Sequence, residues 1–158
     1  MIRLLTEEDI PDVLELVELA MSESIYYKNL DFDINATRTA LYYSLLSDFH
    51  IVCISVDESG VHGIFSVYLN SLYTVQIIAY EELFYVHPDY RRGKVAIKLC
   101  EFVVNACKVS GAAKLFSTAT LGLDTTGHHA NVFSKLLKRF GFEEINGGCV
   151  LVKELSDG

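Results

Sequence analysis

The chain has 158 residues, the size of one domain, and its 51% hydrophobic content is enough to fill a single core. The formal net charge of -8 argues against nucleic-acid binding, because phosphate contacts need a basic surface. No apolar stretch is long enough to cross a bilayer, and no basic and apolar leader opens the chain. We therefore expect one cytoplasmic domain over residues 1–158, with neither a membrane nor a nucleic-acid partner.

The first half of the chain predicts a strand and two helices, followed by three strands. Residues 2–5 alternate weakly, as in a strand, and the apolar spacing from Ile10 to Met21 is helical. A second helix is expected over 35–48. Its buried side chains are expected to be Ala40, Leu41, Leu45 and Phe49. From His50 the apolar period changes to two, which predicts a hairpin over 51–56 and 61–69 and a further strand over 75–86.

The second half alternates helices and strands. We expect a helix over 95–110, a strand over 115–119, a helix over 131–140 and a terminal hairpin over 142–153. A helical crossover between Val86 and Leu115 implies that these two strands are parallel. The order predicts a mixed α/β fold.

The cysteines lack the close pairs of a zinc site or of a disulfide framework. They are Cys53, Cys100, Cys107 and Cys149. We expect buried thiols in a reducing compartment and no metal site. No G-x-G-x-x-G follows the first strand, which disfavours a dinucleotide-dependent oxidoreductase.

The stretch from Val86 to Ala96 ends an apolar strand, turns on a basic loop and opens an amphipathic helix. Backbone N–H groups in the first turn of such a helix have no intrahelical partner and lie at its positive end. A diphosphate fits this arrangement, and Arg91, Arg92 and Lys94 add positive charge. The alternative is that the arginines are solvated residues of an ordinary connector.

The same residues resemble the acyl-CoA pyrophosphate loop of the GNAT acetyltransferases, whose usual form is Gln/Arg-x-x-Gly-x-Gly/Ala. Arg91 and Ala96 match its first and last positions. Lys94 stands where the middle glycine is expected, so Gly93 is predicted to supply the positive φ or the close backbone approach one residue earlier.

A second segment carries the resemblance into the C-terminal quarter. Asn131, with Phe133, Leu136, Leu137 and Gly141–Phe142, resembles the family segment that begins with asparagine and ends with Gly-Phe. From Ile2 to Leu155 the chain also resembles acetyltransferase-like proteins of phages and prophages.

The resemblance implies a mostly antiparallel sheet flanked by about four helices. Its central parallel strand pair is expected to splay into a wedge that admits the pantetheine arm of acetyl-CoA. The residues expected to contact acetyl-CoA or CoA are Phe84, Tyr85, Val86, Arg91, Arg92, Gly93, Lys94, Val95, Ala96 and Asn131.

The implied reaction is transfer of an acetyl group from acetyl-CoA to a primary amine by direct attack. Glu82 is the candidate general base, because it shares strand parity with Phe84 and Val86, while Glu81 should point to the opposite face. The alternative for Glu82 is a strand carboxylate in a structural ion pair. His128 and His129 are alternative bases near the last helix.

Leu137 occupies the position at which many family members place a tyrosine as general acid. Tyr85 or Tyr80 is the candidate substitute. Because of Leu137 and Lys94, a catalytically weak or inactive CoA-binding module stays open as the alternative function.

The connector between the first two helices borders the acceptor pocket in this family. Ser22, Glu23, Tyr26 and Tyr27 are therefore candidates for binding the amine acceptor, which is either a small molecule or a protein. The apolar and tyrosine-rich region over 66–80 is a candidate homodimer surface if it is exposed.

Overall fold

The computed structural model describes residues 1–24, 27, 29–71, 74–118, 128–145 and 150–155, with the backbone alone at 118 and 128–131. The strands within these residues are β1 (Ile2–Leu4), β2 (His50–Asp57), β3 (Gly60–Asn70), β4 (Ile77–Val86), β5 (Ala112–Thr118), β6 (Glu143–Ile145) and β7 (Val150–Glu154). The helices are α1 (Ile10–Glu23), α2 (Ile34–Leu46), α3 (Val95–Val109) and α4 (His128–Arg139).

The strands form one sheet in the order β1-β2-β3-β4-β5-β7-β6. Neighbouring strands are antiparallel except β4 and β5, which are parallel and are connected through α3. A parallel pair needs such a crossover, because a short turn cannot return the chain to the same end of the sheet. The predicted mixed α/β fold with one parallel pair is confirmed.

The sheet separates two apolar cores because strand side chains alternate between its faces. Cys53 of β2 and Phe65 of β3 face α3, in the core that also contains Leu137 of α4. Ile54 of β2 and Ile64 of β3 face the other way and pack with α1 and α2. The candidate site residues Glu82, Phe84, Tyr85 and Val86 lie on β4, in the middle of the sheet.

Gly63 lets the start of α3 approach the sheet closely. A side-chain carbon at this position of β3 would lie 2.9 Å from Leu99 Cδ1 and 3.1 Å from Val95 Cγ1, both on α3. A larger residue would force these two side chains to shift. The first turn of α3 is thereby held against β3, next to the end of β4.

The largest departure from the predicted burial is on α2. Ala40 and Phe49, expected in the core, are exposed, while Leu41 is buried. The apolar residues of α2 are spread around the helix rather than gathered on one side, so part of them remains on the surface. Strand β5 begins at Ala112, three residues before its predicted start at Leu115. None of the helices in the described ranges is long and apolar enough to cross a bilayer.

Candidate active site

Strand β4 is paired along one edge but only at the beginning of the other. On one side β3 pairs with it as far as Val86. On the other side β5 pairs with it as far as Tyr80, which lies opposite Phe116, and no further strand among the described residues continues that pairing. Among the described residues, the edge over 82–86 therefore has no strand partner on the β5 side, at the place where the resemblance implied a wedge. An extended ligand can pair with such an edge as an added strand.

Strand β4 contains a bulge at Glu82. Leu83 lies opposite Ser66 and Glu81 lies opposite Val67, so β4 has one residue more than β3 between these two pairs. An extra residue in one strand reverses the alternation of the side chains that follow it.

The bulge changes the predicted side-chain directions on β4. Phe84 and Val86 pack in the core against α3. Glu82 lies on the opposite face, toward α1 and α2, rather than with them. Glu81 lies on the α3 side, where it accepts a hydrogen bond from the buried Ser117 hydroxyl. The parity argument was wrong because it assumed a regular strand, and spacing alone does not reveal a bulge.

Two neighbours on its own face hold the Glu82 carboxylate. The Ser66 hydroxyl donates a 2.7 Å hydrogen bond to Oε2. The His50 Nε2 atom lies 3.7 Å from Oε1, and the Glu82 side chain is 42% exposed. The carboxylate is thus oriented by the protein and still accessible to a ligand.

Neither Ser66 nor His50 was among the residues that the sequence singled out. Ser66 does carry a signal, because it is a small polar residue within an otherwise apolar strand segment. His50 carries no such signal. In the sequence it is only the first residue of a strand, and its partner Glu82 follows 32 residues later.

The loop after β4 presents backbone donors and positive charge. The first bond of the α3 ladder runs from the Lys98 N–H to the Lys94 carbonyl oxygen, at 3.0 Å. Helix geometry leaves the N–H groups of residues 95–97 without intrahelical partners at the positive end of α3. The side chains of Arg92 and Lys94 are exposed around them. These groups fit a diphosphate, because such an anion needs several donors and cations at one place.

Positive φ is not the reason for a glycine in this loop. Lys94 has φ of -92°. Within the described residues the glycines with positive φ are Gly60, Gly111 and Gly141, so Gly93 is not one of them. A side chain at Gly93 would meet the Tyr90 carbonyl oxygen at 3.4 Å, an ordinary contact. Of the two reasons predicted for Gly93, close approach by a ligand is the one compatible with this backbone.

Arg91 turns away from the loop and back toward α1. Its Nε donates a 2.9 Å hydrogen bond to the Val86 carbonyl oxygen, and its guanidinium forms an ion pair with Glu23. The guanidinium carbon also lies 5.2 Å from the centre of the Tyr85 ring. The structure therefore brings together Arg91, Glu23 and Tyr85, which the sequence had assigned to different parts of the site.

Tyr85 is buried at the end of α1. Its side chain is 2% exposed, and its hydroxyl donates a 2.8 Å hydrogen bond to Glu23 Oε2. Burial, followed by the neighbouring Glu23 carboxylate, raises the pKa of Tyr85 above its usual value. The phenol is therefore neutral near pH 7, and its proton is directed at Glu23.

Helix α4 packs on the wedge through aromatic contacts. The Phe84 ring stacks on Phe133 of α4, with centroids 4.4 Å apart and planes 11° apart. Val95 and Ala96 of α3 pack against the same core. Leu137 is fully buried there, so the position at which family members place a tyrosine is a core position in this chain.

Several other candidates have surface positions or lie outside the described residues. The Ser22 hydroxyl donates a 2.7 Å hydrogen bond to the Leu19 carbonyl oxygen of its own helix. Tyr27 is 42% exposed. Tyr26 lies outside the described residues, as do the side chains of three residues of α4. These three are His128, His129 and Asn131.

The thiols in the described part of the chain are protected. Cys53, Cys100 and Cys107 are buried and unpaired, as expected, whereas Cys149 lies outside the described residues. Burial raises the pKa of the Cys100 thiol to about 12, and the Glu81 carboxylate on the same face adds to the rise. No cluster of three or more metal-binding side chains occurs among the residues that the structure describes.

Comparison with solved structures identifies the fold. No protein-family model matches the chain, and no curated protein matches it by sequence. A ribosomal-protein-alanine N-acetyltransferase from Brucella melitensis is similar, with a TM-score of 0.77 and 19% identity over 98% of this chain and 99% of that one. An aminoglycoside acetyltransferase from an uncultured soil metagenomic sample, in complex with sisomicin, has a TM-score of 0.70 and 20% identity over 92% and 91%.

A further similar structure contains the cofactor that the loop predicts. It is a GNAT family N-acetyltransferase from Escherichia coli in complex with CoA, with a TM-score of 0.66 and 18% identity over 99% of this chain and 82% of that one. In this chain the matched fold is a mixed seven-stranded sheet with a single parallel pair, which a helix connects. The chain therefore has the fold of the GNAT acetyltransferases.

Proposed function

We propose that the protein is an N-acetyltransferase that moves the acetyl group of acetyl-CoA to a primary amine. The observation that carries the proposal is the edge of β4 over 82–86, to which no described strand pairs on the β5 side and which leads directly to the donor-rich start of α3. An edge that can pair with an extended chain, followed by a diphosphate site, matches the two halves of the CoA molecule.

The N–H groups of residues 95–97, with the side chains of Arg92 and Lys94, would hold the diphosphate. The peptide groups of Phe84, Tyr85 and Val86 would pair with the pantetheine arm. Acetyl-CoA would supply an activated acetyl group as a thioester. The E. coli neighbour in complex with CoA supports this assignment for the fold.

The protein assists the transfer by preparing the amine. An amine is protonated near neutral pH and attacks only after it loses a proton, which Glu82 accepts directly or through water. The amine nitrogen then bonds to the acetyl carbon as the carbon–sulfur bond breaks. The bonding pair goes to sulfur, and the nitrogen releases its remaining extra proton to solvent. The products are an acetamide and the CoA thiol.

Glu82 suits this role because it is oriented yet exposed. The Ser66 hydroxyl orients the carboxylate, and its 42% exposure leaves room for a ligand. It lies on the face opposite Phe84, so we assign the amine to the α1/α2 face and the pantetheine arm to the wedge. Glu82 with the amine would then lie on one side of β4 and the pantetheine arm on the other. The amine nitrogen and the thioester carbon would meet at the edge of the strand.

The leaving sulfur does not need a side-chain acid in this proposal. The Tyr85 hydroxyl is committed to Glu23, and Leu137 is buried. A thiol has a reference pKa of about 8.5, so a thiolate is a tolerable leaving group near neutral pH. We therefore assign Tyr85 to positioning Glu23, and solvent supplies the proton to sulfur.

Calorimetric titration with CoA, combined with a thiol-release assay on a panel of amines, tests the function. We expect CoA binding, and release of thiol that depends on an amine. The double variant Arg92→Ala, Lys94→Ala should weaken CoA binding by roughly tenfold or more, because charge-assisted contacts contribute about 1.5 to 3 kcal/mol each.

Failure to bind CoA would refute the proposal. Binding of CoA without transfer to any amine would favour the alternative, a CoA-binding module without activity. The cytoplasmic location, the homodimer and the phage-type resemblance stay predictions from the sequence, and none of the similar structures named above comes from a phage.

A further inference from the structure

Four ring side chains form a row across the sheet on the α1/α2 face. They are His50 of β2, Tyr68 of β3, Tyr80 of β4 and Phe116 of β5, which we call the aromatic row. Each is the direct cross-strand partner of the next. The centroids of His50 and Tyr68 are 5.0 Å apart. Those of Tyr80 and Phe116 are 5.4 Å apart, with planes 14° from parallel.

The helices on this face leave the aromatic row accessible. The core beneath α1 and α2 takes Val52 and Tyr85, which lie farther along the same strands, and it does not include the row. Tyr80 is 41% exposed, and the other three rings of the row are partly exposed. The exposed part of the row, above all Tyr80, offers an apolar surface that a ligand can contact.

The aromatic row lies beside Glu82, the proposed general base. The pair Tyr80–Phe116 is the last one between β4 and β5, so the row reaches the point at which the wedge opens. Glu82 follows Tyr80 by two residues, and its carboxylate lies 3.7 Å from His50 in the row. A ligand lying on the rings would therefore bring a terminal positive charge to the Glu82 carboxylate.

We infer that the acceptor is a primary amine with one positive charge on an aromatic or similarly flat apolar body. The inference rests on the proposed function and names its acceptor class. The ammonium group is attracted by the Glu82 carboxylate. The apolar body packs on the exposed part of the aromatic row, chiefly on Tyr80, where an aromatic ring makes edge-to-face or offset contacts. A polyamine is disfavoured, because its additional charges would lie on apolar rings without carboxylate partners.

The test compares three amines in the thiol-release assay: 2-phenylethylamine, n-butylamine and spermidine. We expect kcat/KM for 2-phenylethylamine to exceed that for n-butylamine by about tenfold, in keeping with an aromatic stacking contact. Tyr80→Ala should reduce this ratio to near one, and Tyr80→Phe should preserve it, because the ring is retained. Val75→Ala is the matched control, since Val75 is a fully exposed apolar residue outside the row.

An NMR titration of the protein with 2-phenylethylamine gives a second readout that does not depend on turnover. We expect saturable binding that Tyr80→Ala weakens. Absence of binding would overturn the inference even if CoA binds and other amines are acetylated. Loss of CoA binding with amine binding intact would instead contradict the proposed function alone.

Two further results would count against the inference. One is a spermidine efficiency equal to or above that of 2-phenylethylamine. The other is a change of oligomeric state in Tyr80→Ala with an unchanged amine ratio, which would assign the aromatic row to a contact between two copies of the chain.

Discussion

Arg91 and Glu23 form an ion pair that joins the start of the candidate diphosphate loop to the last residue of α1. The Val86 carbonyl oxygen and the Tyr85 ring complete the surroundings of the guanidinium. The arginine that best matches the family loop is therefore occupied by the protein itself. Its exposed neighbours, Arg92 and Lys94, are left to meet a ligand.

This arrangement predicts that alanine substitutions of the two adjacent arginines affect different properties: stability for Arg91 and CoA binding for Arg92. Arg91→Ala should lower the free energy of unfolding by about 1 kcal/mol, because it removes a partly exposed ion pair and a hydrogen bond to a carbonyl. Arg92→Ala should leave stability within about 0.5 kcal/mol and weaken CoA binding more than Arg91→Ala does. Thermal unfolding and calorimetric CoA titration of both variants check the prediction. The opposite ranking would place Arg91 at the phosphates.

Glu82 should set the rate of transfer without setting cofactor affinity. Glu82→Gln keeps the shape of the side chain and removes the base, so turnover should fall by roughly 10²-fold with CoA affinity nearly unchanged. The loss should become smaller at high pH, where more of the amine is already deprotonated. Rates measured from pH 6 to 10 with a good acceptor check this.

Glu81→Gln is the matched control, because Glu81 is the adjacent residue on the opposite face. It should alter stability rather than the pH dependence of the rate. Equal effects of the two substitutions would remove the special role of Glu82 and return attention to His128, His129 or solvent as the base.

Gly93 should be required for CoA binding and not for the stability of the fold. Gly93→Ala meets no strained φ and only an ordinary contact, so stability should change by less than about 0.5 kcal/mol while CoA binding weakens. Gly111→Ala provides the contrast, since its φ of 77° strains an alanine although the space around it is open. That variant should lose about 1 kcal/mol of stability and keep CoA affinity. Unchanged CoA binding in Gly93→Ala would exclude close approach of the diphosphate to this residue.

Acid should remove one identifiable contribution to stability. Two hydrogen bonds from Arg3, at 2.6 and 2.7 Å, lower the pKa of Asp9 from its ordinary 3.8 to about 2. Because the pKa is lower in the folded protein, the stabilisation is present above pH 4 and is lost as the pH falls from about 4 to 2. We expect Asp9→Asn to cost about 1 kcal/mol at pH 7, after allowance for solvent screening, and nothing further near pH 2.

Urea unfolding at pH 7, 4 and 2.5 measures the gap in the free energy of unfolding between Asp9→Asn and the unsubstituted protein. Asp31→Asn, at an exposed aspartate before α2, serves as control and should show a small and constant difference. A gap in Asp9→Asn that is undiminished at pH 2.5 would show that the ion pair is not its cause.

Local patterns were sufficient for the order of the elements and for the loop at the start of α3. The period of apolar residues and the turn chemistry act over a few residues, and both are visible in one sequence. The direction of Glu82 depends on how β3 and β4 pair, with Ser66 lying 16 residues away in the chain. Arg91 finds its partner 68 residues away, at Glu23. Contacts of this kind arise only when the whole sheet is assembled, so no local spacing predicts them.

The bulge in β4 has a consequence for protein engineering. If Glu82 were deleted, Glu81 would be followed directly by Leu83, and inward and outward residues would alternate regularly from Ala79 to Val86. Every apolar residue of the strand would keep its present face, so the shortened chain should still fold. The extra twist that a bulge gives to a strand would be lost with it. Deletion of Glu82 alone should thus give a folded protein that lacks the proposed general base. A different nucleophile or base could then be introduced on this strand.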